Sequence, residues 1–192
     1  VLKGPKAALF GRGEPGGAVN LVTKRPQFRQ GGEIKATYGS WSQKRIEADV
    51  QSVAGSAENV GVRLVGFYED AESFRDTVET ERFGFYPSVT WEASADTTVT
   101  YELEYTEQKI PFDRGVVAID GKLGHQPIET FTGDPNGDTI DAEVVGHQIE
   151  ISHKLADEWN LLLGAGLRDT TFEGNALENN FGGRQTLFID PN

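Results

Sequence analysis

Glu102 and Glu104 stand two residues apart in a run that alternates polar and apolar. On an extended strand this spacing puts two carboxylates about 7 Å apart on one face, a separation that could serve a glycosidase-like acid pair. Glu47 and Asp49 repeat the pattern. Acids that recur on one strand face are more simply the lining of a wet surface. Gly11-Arg12-Gly13-Glu14-Pro15-Gly16 fits the dinucleotide fingerprint, but that motif must open a helix whose N-terminus receives the pyrophosphate. Here Pro15 and the strand-like run Ala18–Thr23 follow, so the glycines read as turn residues. Asp134-Pro135-Asn136-Gly137-Asp138 begins like a calcium loop, yet its sixth position is Thr139 and its twelfth Val145, where Gly and Glu are needed. His147 and His153 share a strand face, but six residues at about 3.3 Å each hold them about 20 Å apart, too far to share a metal. His125 has no partner nearby in sequence. No nucleophile elbow, zinc-binding helix or phosphate loop is present. Catalysis, a resident metal and a cofactor are therefore not expected.

The composition narrows what must position these residues. The 192-residue chain has no cysteine, so disulfides and thiolate metal sites are excluded. Its net charge of −12 repels a phosphate backbone, and nucleic acid is not an expected partner. No stretch of about 18 apolar residues exists to make a membrane helix. Barrel strands need only about 9–11 residues each, apolar at alternate positions, and a hydrophobic share of 37% suits them. The chain opens on Val1-Leu2-Lys3-Gly4-Pro5 and closes in a loop-like stretch, so it reads as part of a longer protein.

From Glu33 onward the hydrophobic period is two, the strand period. It predicts seven strands, near 33–38, 43–51, 60–71, 80–93, 97–108, 142–155 and 159–172. In the second, Ile46, Ala48 and Val50 oppose Arg45, Glu47, Asp49 and Gln51; in the fifth, Val99, Tyr101, Leu103 and Tyr105 oppose Thr100, Glu102, Glu104 and Thr106. Turns near Gly55, Ala95 and Asp157 are tight, whereas those near Asp76, between Ile110 and Asp141, and beyond Ala176 are longer. Short turns at one end and long loops at the other are an outer-membrane barrel's asymmetry. Aromatic residues near strand ends (Tyr38, Trp41, Tyr68, Phe83, Trp91, Tyr105, Trp159) suit interfacial girdles. The same alternation also suits a soluble up-and-down meander with one hydrated face. Periodicity alone leaves both open.

The first 26 residues carry more. Val1-Leu2-Lys3-Gly4-Pro5, Leu9-Phe10-Gly11, Glu14-Pro15-Gly16-Gly17, Val19-Asn20 and Val22-Thr23-Lys24-Arg25-Pro26 together resemble the end of the plug in TonB-dependent receptors for ferric siderophores. Lys3 stands where that pattern has Arg, and Phe10 where Tyr is common. Weaker resemblance continues through Gly32-Glu33 to Tyr38-Gly39-Ser40, Arg63-Leu64-Val65-Gly66, Pro87-Ser88-Val89-Thr90-Trp91 and Asp96-Thr97-Thr98.

The resemblance implies an all-β chain: residues 1–30 as the C-terminal part of a plug, and residues 31–192 as the N-terminal part of a roughly 22-stranded antiparallel transmembrane β-barrel. It implies a place in the outer membrane of a Gram-negative bacterium, among its lipids, with a ferric siderophore and TonB as partners. The iron would arrive inside the siderophore. Passive porins, soluble binding modules and importers of haem, cobalamin or glycans are the rival expectations. Basic plug residues Lys3, Lys24 and Arg25 are expected to face the lumen acids Glu47, Asp49, Glu102 and Glu104 in a wet interface, some pairs acting as a latch that yields under TonB. Ligand contacts are expected from aromatic and basic loop residues: Phe74, Arg75, Phe112, Arg114 and Phe131. Unpaired barrel edges predict that the chain would not fold alone.

Overall fold

The computed structural model describes residues 2–3, 17–18, 22–55, 57–113, 115, 122, 126–137, 139–179 and 185–188, with side chains described between residues 22 and 175 of that set. All its regular structure is β. Two short strands, β1 (Leu2–Lys3) and β2 (Gly17–Ala18), pair antiparallel. Seven long strands follow: β3 (Gly31–Tyr38), β4 (Lys44–Ala54), β5 (Val60–Glu72), β6 (Glu79–Ser94), β7 (Thr97–Pro111), β8 (Thr139–Ala156) and β9 (Trp159–Gly174). They form one sheet in chain order, each antiparallel to the next. A small hairpin, β10 (Ala176–Asn179) with β11 (Gln185–Phe188), lies beyond.

Each of the seven predicted strands is present, and several run longer than their apolar alternation. The ladder between β7 and β8 continues through Ile110↔Ile140 to Pro111↔Thr139, because backbone pairing does not depend on strict alternation of the side chains. Of the expected run Ala18–Thr23, Ala18 pairs with Leu2 in β2, Val22 and Thr23 lie outside any strand, and Val19–Leu21 lie outside the described residues. The turn between β4 and β5 uses Gly55 at φ 86°, a conformation glycine adopts without a Cβ penalty.

Register decides which residues share a face. One face carries Glu47, Asp49, Arg63, Phe67, Glu69, Arg82, Tyr86, Ser88, Thr100, Glu102, Gln148 and Glu150, joined across neighbouring strands by pairs such as Gln51↔Arg63, Arg63↔Ser88, Ser88↔Glu102 and Glu102↔Gln148. The other carries Ile46, Val50, Leu64, Phe83, Phe85, Val89, Trp91, Ile149, Leu161, Leu163 and Leu167, all exposed.

Burial is inverted relative to a soluble sheet. Among the described residues Val78 is the single buried large apolar side chain, whereas Glu69, Ser88, Thr90, Thr100 and Glu102 are buried. In water, so broad an exposed apolar face would drive association. Against hydrocarbon it is the stable arrangement, with the polar face turned to an enclosed, hydrated interior. Phe83 and Tyr105 meet edge to face at 5.9 Å near the long-loop end, and Trp91 lies eight residues from Phe83 toward the short turns. Those eight residues span about 26 Å of strand, or about 20 Å of height at a tilt of about 40°, close to the apolar band of about 25 Å in such barrels.

Candidate functional site: a chain segment seated on the polar face

Residues 22–30 lie across the polar face before the chain enters β3, and their backbone and side chains are held strand by strand. The Thr23 hydroxyl donates to Glu102 on β7. Lys24 Nζ reaches Asp49 on β4 at 2.7 Å, and its carbonyl accepts from Ser88 on β6 at 3.3 Å. Arg25 forks onto Glu150 of β8 (2.6 and 3.2 Å) and also donates to Glu102 at 3.1 Å. Its carbonyl accepts from Arg63 on β5 at 3.0 Å. The Gln27 amide donates to Gln51 on β4 at 3.1 Å. Five adjacent strands thus bind one short segment.

The segment is also fixed by shape. A Cβ built on Gly61 would stand 2.7 Å from Pro26 and 3.4 Å from the Phe28 ring, so the missing side chain is the notch that seats both. Phe28 itself has φ 49°, a left-handed conformation uncommon outside glycine, and it turns the chain toward β3.

The electrostatics are complementary and dense. Glu102 keeps 8% of its side-chain exposure and would be costly to bury as an unpaired carboxylate. Thr23 and Arg25 satisfy it. Asp49 is shared by Lys24 and by a two-pronged Arg63 contact, both prongs 2.8 Å. The Arg25 guanidinium pKa is raised, chiefly by its hydrogen bond to Glu150, with desolvation opposing and the Glu102 charge assisting. The positive charge therefore persists across the physiological range.

Among the acids expected to face the segment, Asp49 and Glu102 touch it. Glu47 instead pairs with Lys35 and Arg45, and Glu104 with Arg168; both are spent within the wall because register sets a cation beside each. The Lys3 side chain lies outside the described residues. Glu150, Arg63, Ser88, Gln51 and Gly61 were not singled out from sequence. Glu150 and Arg63 share the polar parity of their strands, which was the available signal, but parity alone does not say which polar residue meets which segment.

The described loop candidates lie at the end opposite the tight turns. Phe74 is exposed, while Phe112 and Phe131 are half-buried; Arg114 lies outside the described residues. Arg75 keeps only 11% of its side-chain exposure. Its guanidinium pairs with Asp113, donates to the carbonyls of Ile128 (2.8 Å) and Thr130 (3.2 Å), and lies over the Phe74 ring. His147 and His153 each meet a hydroxyl across the ladder, Tyr101 at 2.7 Å and Thr97 at 2.8 Å.

An inside-out antiparallel sheet with a polar segment packed on its wet face defines the wall of an outer-membrane barrel. Comparison with known proteins gives the same answer. The chain is 35% identical over 179 residues to the metal-pseudopaline receptor CntO of Pseudomonas aeruginosa, matching 93% of this chain and 25% of that protein. It is 30% identical over 171 residues to the ferrioxamine B receptor of Salmonella typhimurium, matching 84% of this chain and 24% of that one. Among solved structures, the Pseudomonas aeruginosa pyoverdine receptor FpvA bound to pyoverdine superposes with a TM-score of 0.81 at 21% identity, over 91% of this chain and 26% of that one. The open form of the Escherichia coli ferric-catecholate import receptor Fiu gives 0.80 at 23% identity, over 91% and 28%. No family model matches. The chain belongs to the TonB-dependent outer-membrane receptors, and its seven long strands are part of their 22-stranded transmembrane barrel. It spans about a quarter of the length of the relatives it matches.

Proposed function

We propose that the whole receptor imports a ferric siderophore or a similar small metal chelate across the outer membrane, and that residues 1–30 are the C-terminal part of its plug. The observation that carries this reading is the seating of residues 22–29 on the polar face by contacts from five strands. A passive pore has no use for a segment bound across its lumen. The relatives named above are receptors for metal chelates of this kind. TonB, acting on a part of the receptor outside this chain, would supply the energy, because release of a charge-paired segment needs work.

In this reading the polar interface is suited to rearrangement. Its groups can exchange protein partners for water, so movement exposes little apolar surface. Phe74, Phe112 and Phe131 remain candidate contacts for the chelate at the outer mouth, where aromatic faces suit flat or cationic groups, and Arg114 is a further candidate as a donor to anionic ones.

The test is uptake of iron-55 by cells that lack their own siderophore receptors and express the whole receptor. Ferric ferrioxamine B and ferripyoverdine are the first probes. Accumulation that disappears when TonB is deleted is the expected outcome. Entry of small solutes without TonB, and without preference among probes, would mean a passive pore.

A further inference from the structure

At the long-loop end, the Arg75 side chain keeps only 11% of its exposure, covered by neighbouring loop residues instead of being held open for ligand. Arg75 lies in the loop joining β5 to β6, and its guanidinium reaches three points of the long loop joining β7 to β8: the Asp113 carboxylate and the carbonyls of Ile128 and Thr130. A backbone bond reinforces the join, the Asp76 amide donating to the Glu129 carbonyl at 2.7 Å. Within its own loop, the Arg75 amide donates to Ser73 Oγ at 3.1 Å and the guanidinium covers Phe74. The long loop is tied to itself as well, Thr132 Oγ1 donating to the Gly115 carbonyl at 3.0 Å.

Among the described residues no strand ladder joins these two loops, so the register of the long strands does not dictate how they sit together. Loops of this length are otherwise held only by local contacts. A planar guanidinium offers five donors in fixed directions. It can therefore serve a carboxylate and two carbonyls that approach from different sides. An ammonium can match the charge of Asp113 but not that three-way geometry.

We propose that Arg75 is a positioning residue that locks the β5–β6 and β7–β8 loops into one body, whose shape the incoming chelate reads at the outer mouth. It does so without touching the chelate itself. The ligand part of this inference rests on the transport reading above; the coupling of the loops does not.

The experiment uses the whole receptor in detergent, unchanged and as Arg75→Ala, Arg75→Lys, Asp113→Ala and the Arg75→Ala/Asp113→Ala double variant. Hydrogen exchange of residues 73–78 reads the coupling directly, since the Asp76 amide is protected by the other loop. Exchange should accelerate about tenfold in Arg75→Ala and less in Asp113→Ala, and the double should not exceed Arg75→Ala by much, because the Asp113 contact is already lost with the arginine. Lysine should not rescue. Binding of ferric ferrioxamine B is measured on the same samples, and affinity should fall in parallel in all four variants. A ligand-contact role predicts the reverse: rescue by lysine, and no loss from Asp113→Ala, which frees the guanidinium. Either result overturns the proposal, as does unchanged exchange in Arg75→Ala. If the unchanged receptor binds no ferric ferrioxamine B, that counts against the ligand reading, and the exchange result alone decides the coupling.

Discussion

Arg25 and Arg75 each gather several acceptors, yet they do opposite work. Arg25 meets Glu102 and Glu150, two carboxylates whose places are dictated by the register of β7 against β8. The wall exists first, and the arginine fits a socket already made. Arg75 meets one carboxylate and two carbonyls in segments that no ladder aligns. There the arginine makes the geometry. An arginine against a rigid sheet reads a surface, whereas an arginine among loops builds one.

This contrast can be broken in order of expected effect. Arg25→Ala leaves Glu102 almost wholly buried without its cation. Losing one partner of a fully buried pair costs about 3–5 kcal/mol; Arg25 keeps 39% of its side-chain exposure, so about 2–3 kcal/mol is expected after solvent screening. Hydrogen exchange of residues 22–29 in the whole receptor should rise accordingly, and an effect confined to Lys24 would break the idea of a central socket. Gly61→Val comes next. Its side chain would have to displace Pro26 and Phe28, at about 1–3 kcal/mol, visible as proteolytic opening of the same segment with the barrel intact. Arg25→Lys keeps the charge between two carboxylates while losing the fork, so it should recover about half the loss, unlike lysine at Arg75. If lysine behaves alike at both positions, the distinction between reading and building a surface fails. Lys24→Ala is the smallest: the ammonium is 61% exposed, and Arg63 still satisfies Asp49, so the change should stay under about 1 kcal/mol.

How much of this was legible beforehand follows the same division. All seven long strands could be read from alternation, because apolar side chains facing hydrocarbon must recur every second residue. Alternation could not say whether the polar or the apolar face was the enclosed one. The inverted burial of Glu69, Thr100 and Glu102 supplied that. Asp49 and Glu102 were legible as lining acids, but Glu47 and Glu104 carried the same signature and turned out to be occupied by Arg45 and Arg168. Arg75 looked like a ligand contact because a loop arginine beside a phenylalanine suits an anionic or aromatic guest. Its capture by residues 38 to 55 positions downstream had no trace in local sequence.

By itself the sequence determined the seven long strands, the two-faced character of each, and the asymmetry between short turns and long loops. These depend on neighbours one or two residues apart, where the period of the backbone acts directly. Only the tertiary structure decided which acid meets Arg25, why Gly61 must lack a side chain, and what Arg75 holds. Each of those joins residues from strands or loops far apart in the chain, and such pairing is set by register and packing, which no local pattern encodes.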